Sequence, residues 1–245
     1  MPSFGAHQGA TSTSRSTFYL WQGFSIGAVL IGGLVVVLML FAIIRYRRTS
    51  DRIPAQSQYH LPLEVLYTVV PILIVFGLFA ATIVVENQVV ANPTTKVTID
   101  VNAFQWGWKF SYPGTAAVVV GQTTQTPEMV MPVNTDVHIN LTSTDVIHGF
   151  YVKAFNFSRY ALPGVKNQFT LHAVTTGTFF GQCTQLCGLY HSLMFFNVKV
   201  VSPSAYASWL ASFNNASAAQ AAAQATAQQT STHVPSKPTA SSGAH

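Results

Sequence analysis

Two long uncharged apolar runs near the start of the chain restrict its fold more than any other feature. The first extends from Ser16 to Ile44 and the second from Val65 to Val85. About 20 mostly apolar residues suffice for a helix to cross the hydrocarbon core of a bilayer. We therefore predict a hairpin of two membrane-spanning helices, with spans over about 20–44 and 65–86.

Two other interpretations of these runs are a buried core helix and, for the first run, a signal peptide. A signal peptide has an apolar region of about 7–15 residues behind a basic segment. The first run is much longer, and only Arg15 precedes it. Pro71 inside the second run is tolerated in membrane bundles, because neighbouring helices satisfy the freed backbone groups. The membrane hairpin is therefore the favoured interpretation.

The loop between the two runs gives the orientation. It contains four of the twelve basic residues in a short stretch, namely Arg45, Arg47, Arg48 and Arg52. Short basic loops remain on the cytoplasmic side of the membrane. We therefore expect both termini, and everything after Glu86, to face outward.

The segment after the hairpin has the pattern of an all-β domain. Short alternating apolar runs, separated by turn residues, occupy 96–104, 116–120, 136–141, 168–174, 178–182 and 194–201. Regularly spaced short strands predict a β-sandwich or barrel. A short helix over 205–213 closes the domain. The Ala-, Gln-, Ser- and Thr-rich tail over 214–245 has no apolar periodicity, and we expect it to be disordered.

Composition narrows the class of partner. Charged residues make up 8% of the chain, against about 25% in an ordinary soluble domain. The net charge is +5, but its basic residues do not form the cluster that a nucleic-acid surface requires. The two cysteines are too few for a disulfide framework. These numbers favour a membrane partner and exclude nucleic acid.

One stretch carries the chemistry. Cys183, Cys187, His191 and Met194 place two thiols, an imidazole and a thioether close together in the sequence. Soft sulfur ligands with imidazole suit copper, and a weak Met ligand is typical of copper sites that transfer electrons. His148, at the end of another predicted strand, is the candidate for a further ligand.

Two other interpretations of the same residues remain open at this point. The two cysteines could form a disulfide, since the outer compartment is oxidising. Zinc accepts two Cys and two His ligands, although structural zinc sites usually place their cysteines closer together and use no Met. His138 and His172 lie inside strand patterns and are expected to be ordinary half-buried histidines.

The motifs taken together resemble subunit II of the haem–copper oxidases, specifically an A-family cytochrome c oxidase. The spacing of cysteines, histidine and methionine from Cys183 to Met194 is that of the family. The resemblance extends over roughly residues 20–212. Further matching elements are Ser143-x-Asp145-Val146-x-His148, the aromatic segment 104–110, and the start of the second helix at 63–68 with Pro71.

The resemblance implies a membrane-anchored all-β protein with a cupredoxin-like Greek-key β-barrel. It divides the chain into an outer N-terminal segment (1–17), the hairpin (18–88), the copper domain (92–213) and the tail (214–245). The domain would hold CuA, a binuclear copper centre. Its implied ligands are His148, Cys183, the backbone carbonyl of Gln185, Cys187, His191 and Met194.

The resemblance also gives roles to two residues that are not ligands. Trp106 would be the point at which electrons enter from the donor. The alternative interpretation of Trp106 is a core tryptophan, but Trp108, which alternation places on the same side of one strand, is a candidate for that role instead. Glu64 would lie at the mouth of a proton path into subunit I. An ionisable residue at the edge of a span is in any case a functional candidate.

The implied function is that of subunit II of a proton-pumping terminal oxidase. The copper centre would take electrons from a cytochrome c or a small copper protein and pass them to haem in subunit I, where oxygen is reduced to water. Subunit III would be a further partner. The location would be a prokaryotic cytoplasmic membrane, with the copper domain on the periplasmic side. The alternatives are a CuA component of a nitric oxide reductase and a membrane-tethered copper chaperone.

The sequence departs from the family pattern at two places that affect function. Gln185 stands where the family usually has Glu, and a neutral amide is a poorer ligand for the magnesium ion that this side chain binds in the family. Beyond Glu86, the acidic residues are few: Asp100, Glu128, Asp136 and Asp145. A carboxylate patch that attracts a lysine-rich cytochrome is therefore not expected.

Overall fold

Two long helices open the chain in the computed structural model, which describes residues 3–51, 53, 56–93, 95 and 97–232. Helix α1 covers Ser12–Arg45 and helix α2 covers Leu61–Val90. Their most apolar stretches have mean hydropathies of 2.9 and 2.7, and no residue of those stretches is buried. Both apolar helices are therefore confirmed, and each extends beyond its predicted span. Arg52 of the basic loop lies outside the described residues.

Local sequence sets the ends of the hairpin helices. Thr11 caps α1 reciprocally: the Ser14 amide donates to Thr11 Oγ1 at 3.1 Å, and the Thr11 amide donates to Ser14 Oγ at 2.9 Å. Such a capping box satisfies two backbone donors that the first helical turn leaves free. His60 caps α2, where its Nδ1 accepts from the Leu63 amide at 3.4 Å. Pro71 lies inside α2 without ending it.

The segment before α1 packs against the β domain. The Ala10 amide donates to the Ala154 carbonyl at 2.8 Å, and the Ala10 carbonyl accepts from the Val174 amide at 2.9 Å. Asn156 Nδ2 donates to the His7 carbonyl at 2.8 Å. These bonds place the N-terminal segment and the β domain on the same side of the hairpin.

Ten strands form the domain, in two five-stranded sheets. The first sheet has the order β3-β2-β1-β5-β8 and the second the order β4-β10-β9-β6-β7. The pairs β1–β5 and β4–β10 are parallel, and all other neighbouring strands in the two sheets are antiparallel. The strands are β1 Val97–Phe104, β2 Gly107–Ser111, β3 Val118–Gln122, β4 Glu128–Pro132, β5 Asp136–Ser143, β6 His148–Val152, β7 Phe157–Ala161, β8 Asn167–His172, β9 Gly177–Cys183 and β10 Phe195–Val201. The predicted all-β domain is confirmed as a sandwich.

Aromatic side chains fill the space between the sheets. Phe150 and Phe196 stack with ring centroids 4.7 Å apart, and Trp108 lies 4.9 Å from Phe196. Trp108, Phe110, Phe150 and Phe196 are fully buried. Pairs of this kind contribute about 0.5–1.5 kcal/mol each beyond the area they bury. The core is therefore rigid immediately behind the ends of β6 and β9.

The two ends of the sandwich have different neighbours. The N-terminal segment bonds to Ala154 and Val174, which follow the last residues of β6 and β8. At the opposite end, β6 begins at His148 and β9 ends at Cys183. The candidate ligands therefore lie at the end of the sandwich away from the docked N-terminal segment.

Helix α3 covers Pro203–Thr232 and is much longer than the predicted helix over 205–213. Its first turns pack on the domain through Tyr206 and Trp209, whose rings lie 6.4 and 4.8 Å from that of Tyr112. Disorder from residue 214 was the wrong prediction for 214–232, because Ala has the highest helix propensity and continues a helix that the domain has already nucleated. The rest of the predicted tail, 233–245, lies outside the described residues.

Candidate metal centre

Two buried cysteines form the middle of the candidate site. Cys183 ends β9, and Cys187 lies in the loop that follows it. Their Sγ atoms are 3.8 Å apart, whereas a disulfide bond is about 2.05 Å long. Both side chains are free thiols in the structure. The predicted alternative of a disulfide is therefore not what the structure shows.

Each sulfur has an imidazole of its own. His148 Nδ1 lies 3.9 Å from Cys183 Sγ, and His191 Nδ1 lies 3.6 Å from Cys187 Sγ. His148 comes from the first residue of β6, whereas His191 begins a short 3₁₀ helix after the cysteine loop. Cys183 reaches His148 because β9 pairs with β6.

Each sulfur also has one weaker donor beside it. The Gln185 carbonyl oxygen lies 3.3 Å from Cys183 Sγ, and Met194 Sδ lies 3.8 Å from Cys187 Sγ. Met194 is buried at 1% exposure, immediately before β10. The structure thus brings together all six donors that the sequence predicted, in two matched sets of three.

Asp145 orients His148 from outside the sulfur cluster. Its Oδ1 lies 2.9 Å from His148 Nε2, and its Oδ2 accepts from the Gln105 amide at 2.7 Å. Although burial opposes it, hydrogen bonds from His148 and from the amides of Gln105 and Val146 lower the pKa of the Asp145 carboxyl. A carboxylate on the second nitrogen of a ligating histidine fixes the tautomer and orientation of the ring.

The same contacts polarise the thiols. Burial raises the pKa of Cys183, but hydrogen bonds from His148 and the Gly149 amide outweigh it and lower that pKa to about 6. Burial and the neighbouring Cys183 thiolate raise the pKa of Cys187 to about 12. Although burial opposes it, contacts with Cys183 and Asp145 raise the pKa of His148. Of the two thiols, Cys183 is therefore the one whose surroundings favour loss of its proton.

The donor set determines which metal fits. Donor atoms of His148, Cys183 and Cys187 all lie within 4.8 Å of one another, so they can share metal ions. Thiolate and thioether are soft ligands that suit copper, and imidazole suits it as well. A zinc site would use two Cys and two His but not the buried Met194. The residues present therefore fit copper better than zinc.

Trp106 lies against the cysteine loop, in the turn between β1 and β2. Its Nε1 donates to the Cys187 carbonyl at 3.1 Å, and Gln105 Nε2 donates to the same oxygen at 2.7 Å. Tyr190 packs edge-on against the Trp106 ring at 5.0 Å. Trp106 is thus one hydrogen bond from the backbone of a candidate ligand.

Trp108 confirms its predicted core role but not its predicted position relative to Trp106. The two tryptophans are not on one strand, since β1 ends at Phe104 and β2 begins at Gly107. A Cβ on Gly107 would lie 2.2 Å from the Gly121 carbonyl oxygen on the neighbouring strand β3. The close approach of the β2 and β3 backbones therefore leaves no room for a side chain at position 107.

Sequence reasoning missed the roles of Gln105 and Asp145. Both belong to motifs that carry the resemblance, but their function depends on the contact between them, which joins residues 40 positions apart. The only signal in the sequence was the pattern Asp-x-x-His, because a carboxylate three residues before a histidine can hydrogen-bond to its imidazole, as Asp145 does with His148.

The remaining predicted residues lie away from the centre. Glu64 is in the first turn of α2, where its Oε1 accepts from the His60 amide at 2.9 Å. His138 and His172 are half-buried on β5 and β8, as predicted. His138 Nδ1 lies 2.9 Å from Asn92 Oδ1, and His172 Nδ1 lies 2.7 Å from Asp136 Oδ1.

Comparison with known proteins matches both parts of the chain. Residues 5–84 match the family model described as cytochrome c oxidase subunit II, transmembrane domain. Residues 115–201 match the model described as cytochrome c oxidase subunit II, periplasmic domain. The two matches follow one another in the order that the fold requires.

Individual relatives agree with the family models. The chain is 35% identical to the probable cytochrome c oxidase subunit 2 of Streptomyces avermitilis, over 84% of this chain and 77% of that protein. It is 33% identical to cytochrome c oxidase subunit 2 of Cereibacter sphaeroides, over 72% of this chain and 69% of that protein.

A solved structure is also similar, the periplasmic domain of subunit II of the cytochrome oxidase of Bradyrhizobium japonicum. It is 33% identical, with a TM-score of 0.46, over 50% of this chain and 96% of that domain. The family models and the sequence relatives are sufficient for assignment. The chain belongs to the cytochrome c oxidase subunit II family and is a subunit of that oxidoreductase.

Proposed function

We propose that the two matched donor sets bind a binuclear copper centre, CuA. Cys183 would share both metals with Cys187. One metal would also take His148 and the other His191, with the Gln185 carbonyl and Met194 as weaker ligands. The observation that supports two metals rather than one is the pairing itself: each sulfur has its own imidazole and its own weaker donor.

When bound, the copper pair would accept and release one electron at a time, shared between the metals through the two thiolates. The protein would hold the ligands in fixed positions and keep water away from the centre. His148, Cys183, Cys187 and Met194 are buried at 0%, 6%, 3% and 1% exposure, which limits the access of water to the centre. Because the paired strands β6 and β9 hold two of these residues, their positions need to change little between oxidation states.

We propose Trp106 as the residue through which electrons enter. Its indole is half-buried and bonded to the Cys187 carbonyl, so a donor that contacts the ring would be one hydrogen bond from a ligand. Trp108 offers no such route, because it is fully buried among Phe150, Phe196 and His148.

The partners follow from membership of an oxidase subunit family. Electrons would arrive from a cytochrome c or a small copper protein and pass to haem in subunit I, where oxygen is reduced and protons are pumped, with subunit III as a neighbour. Glu64, in the first turn of α2, would stand at the mouth of a proton path. Gln185 weakens magnesium binding at the subunit boundary, because an amide is a poorer ligand for magnesium than a carboxylate.

We place the chain in a prokaryotic cytoplasmic membrane, with both termini and the copper domain on the periplasmic side. The basic loop supports this orientation, since short loops rich in Arg remain cytoplasmic. The docking of Ala10 on the β domain supports a common side for the N-terminal segment and the copper domain.

The copper content of the purified full-length chain tests the ligand assignment. We expect two copper ions per wild-type chain by elemental analysis, and loss of bound copper in Cys183→Ser and His148→Ala. His138→Ala is the matched control, because that histidine bonds to Asn92 on the outer face of the first sheet. A His148→Ala chain that retains both copper ions would contradict the assignment.

A further inference from the structure

The surface around the metal centre is unusually apolar. Leu186 and Leu189 are 77% and 78% exposed, and Ile147, Tyr190 and Leu193 are each more than 40% exposed. All five lie within two residues of a candidate ligand in the chain. We name these five residues the apolar rim. Exposed apolar side chains gathered around one site indicate a surface of interaction, whereas single scattered ones do not.

One part of the rim adjoins Trp106. Tyr190 packs edge-on against the Trp106 ring. Gly188 lies beneath the same ring, so closely that a Cβ on Gly188 would meet Trp106 Cζ2 at 3.0 Å. Leu189, between these two residues, is therefore the exposed apolar side chain nearest in sequence to both contacts of Trp106.

The carboxylates of the outer domain are already engaged. In the described residues 97–232 each of the four is within bonding distance of a cationic or hydrogen-bonding side chain. The pairs are Asp100 with Asn140 at 2.6 Å, Glu128 with Lys199 at 3.1 Å, Asp136 with His172 at 2.7 Å and Asp145 with His148 at 2.9 Å.

At the end of the domain that holds the metal centre, the exposed charge that is not paired is positive. Lys166 is exposed in the turn between β7 and β8, beside the exposed Val165. Asp145 is the one carboxylate near the centre, and His148 and two backbone amides occupy it. A donor with a ring of lysines would therefore find an exposed cation and no free carboxylate to bind.

We infer that the apolar rim at Leu189 and Tyr190 docks an electron donor whose contact face is apolar and carries no ring of lysines. The inference rests on the proposed function of Trp106 and names the kind of partner that would reach it. Added salt shortens the Debye length from about 30 Å to about 8 Å and so weakens attraction between opposite charges. Because an apolar donor is not held by such attraction, its association rate depends little on salt.

The experiment uses the assembled oxidase that contains the full chain, and two purified donors. One donor is a small blue copper protein with an apolar face around its copper, and the other is a lysine-rich c-type cytochrome. Stopped-flow spectroscopy gives the second-order rate constant of donor oxidation at ionic strengths from about 0.01 M to about 0.15 M.

For wild type, we expect the copper protein to react faster than the cytochrome, with a rate that changes less than about threefold over this salt range. Electrostatic steering would instead change it by about 10- to 1,000-fold. Leu189→Ser should lower the rate with the copper protein about tenfold, the order of effect of losing one interface anchor. Val118→Ser, at an exposed apolar position at the far end of β3, is the control and should leave the rate unchanged.

A Leu189→Ser oxidase that oxidises the copper protein at the wild-type rate would overturn the inference, and so would a steep fall of the wild-type rate with salt. Flash photolysis with a small ruthenium photoreductant separates docking from electron transfer, since it needs no protein donor. Leu189→Ser should pass photoinjected electrons to haem at the wild-type rate. Failure of the wild-type complex to do so would contradict the proposed function and not the docking surface.

Discussion

Replacing Asp145 by asparagine tests whether hydrogen bonds outside the sulfur cluster hold the metal centre together. Both carboxylate oxygens of Asp145 face donors: Oδ1 meets His148 Nε2 at 2.9 Å and Oδ2 meets the Gln105 amide at 2.7 Å. The Val146 amide also donates to Oδ1, at 2.6 Å. An asparagine amide has only one oxygen, so its NH₂ group must oppose one of these donors.

The expected loss follows from that count. A hydrogen bond to a charged group contributes about 1.5–3 kcal/mol, and leaving a buried donor without a partner costs a similar amount. His148 is fully buried and has no other partner for Nε2 among the described residues. Because 1.4 kcal/mol is a factor of ten, we expect copper affinity to fall about 10- to 100-fold.

Competition with a copper chelator on the purified full-length chain measures this loss. Asp136→Asn is the matched control, because it breaks a similar Asp–His pair, with His172, that lies at the opposite end of β5. The control should retain wild-type copper affinity. The reasoning is refuted if Asp145→Asn binds copper as tightly as wild type, or if Asp136→Asn weakens binding to the same extent.

Three further predictions concern Trp106, Gly149 and pH. Trp106→Phe removes the hydrogen bond to the Cys187 carbonyl, and we expect the rate of donor oxidation to fall at least about tenfold while the copper spectrum is unchanged. An unaltered rate would mean that electrons do not enter through Trp106. Gly149→Ala places a Cβ 2.4 Å from Thr184 Oγ1, so the free energy of unfolding should fall by about 1–3 kcal/mol in denaturant titrations. The control is Gly114→Ala, where φ is +81° but no atom lies within 4 Å of the added Cβ, and it should show only the cost of backbone strain. The pKa of Asp145 is lowered in the folded chain, so the stability it contributes is present above its unfolded pKa of about 3.9 and is lost as pH falls through the folded pKa. In thermal melts of the metal-free chain, the melting temperature should therefore decline below about pH 4, and Asp145→Asn should lack this decline.

The sequence predicted those parts of the fold that depend on local pattern. The uncharged runs predicted α1 and α2, and the alternating runs predicted six strands, β1, β3, β5, β8, β9 and β10. Strand β4 was missed because its apolar residues do not alternate: four consecutive residues from Met129 to Pro132 are buried. Burial on both faces removes the alternation that marks a strand.

The candidate ligands were predictable because most of them lie in one stretch, and His148 was added from its place at the end of a predicted strand and from the resemblance. Their division into two matched sets was not, because it depends on which imidazole reaches which sulfur after β6 pairs with β9. The same limit applies to Gln105, whose bond to the Cys187 carbonyl joins residues 82 positions apart. Docking of the N-terminal segment on the β domain was likewise beyond local pattern, since it depends on backbone bonds to Ala154 and Val174.

The long α3 shows a different limit. Apolar periodicity detects a helix only where one face is buried, and residues 214–220, the first after Phe213, are all exposed. Helix propensity would have predicted the extension, because Ala dominates this part of the chain.

The electron paramagnetic resonance spectrum of the full-length chain loaded with copper tests the central claim most directly. If Cys183 and Cys187 share one unpaired electron between two equivalent copper ions, the hyperfine pattern has seven lines. We expect that pattern in wild type and in Asp136→Asn, and its loss in Cys187→Ser. A four-line pattern in wild type would mean a single copper ion, would contradict a binuclear centre built on two matched donor sets, and would favour a membrane-tethered copper carrier.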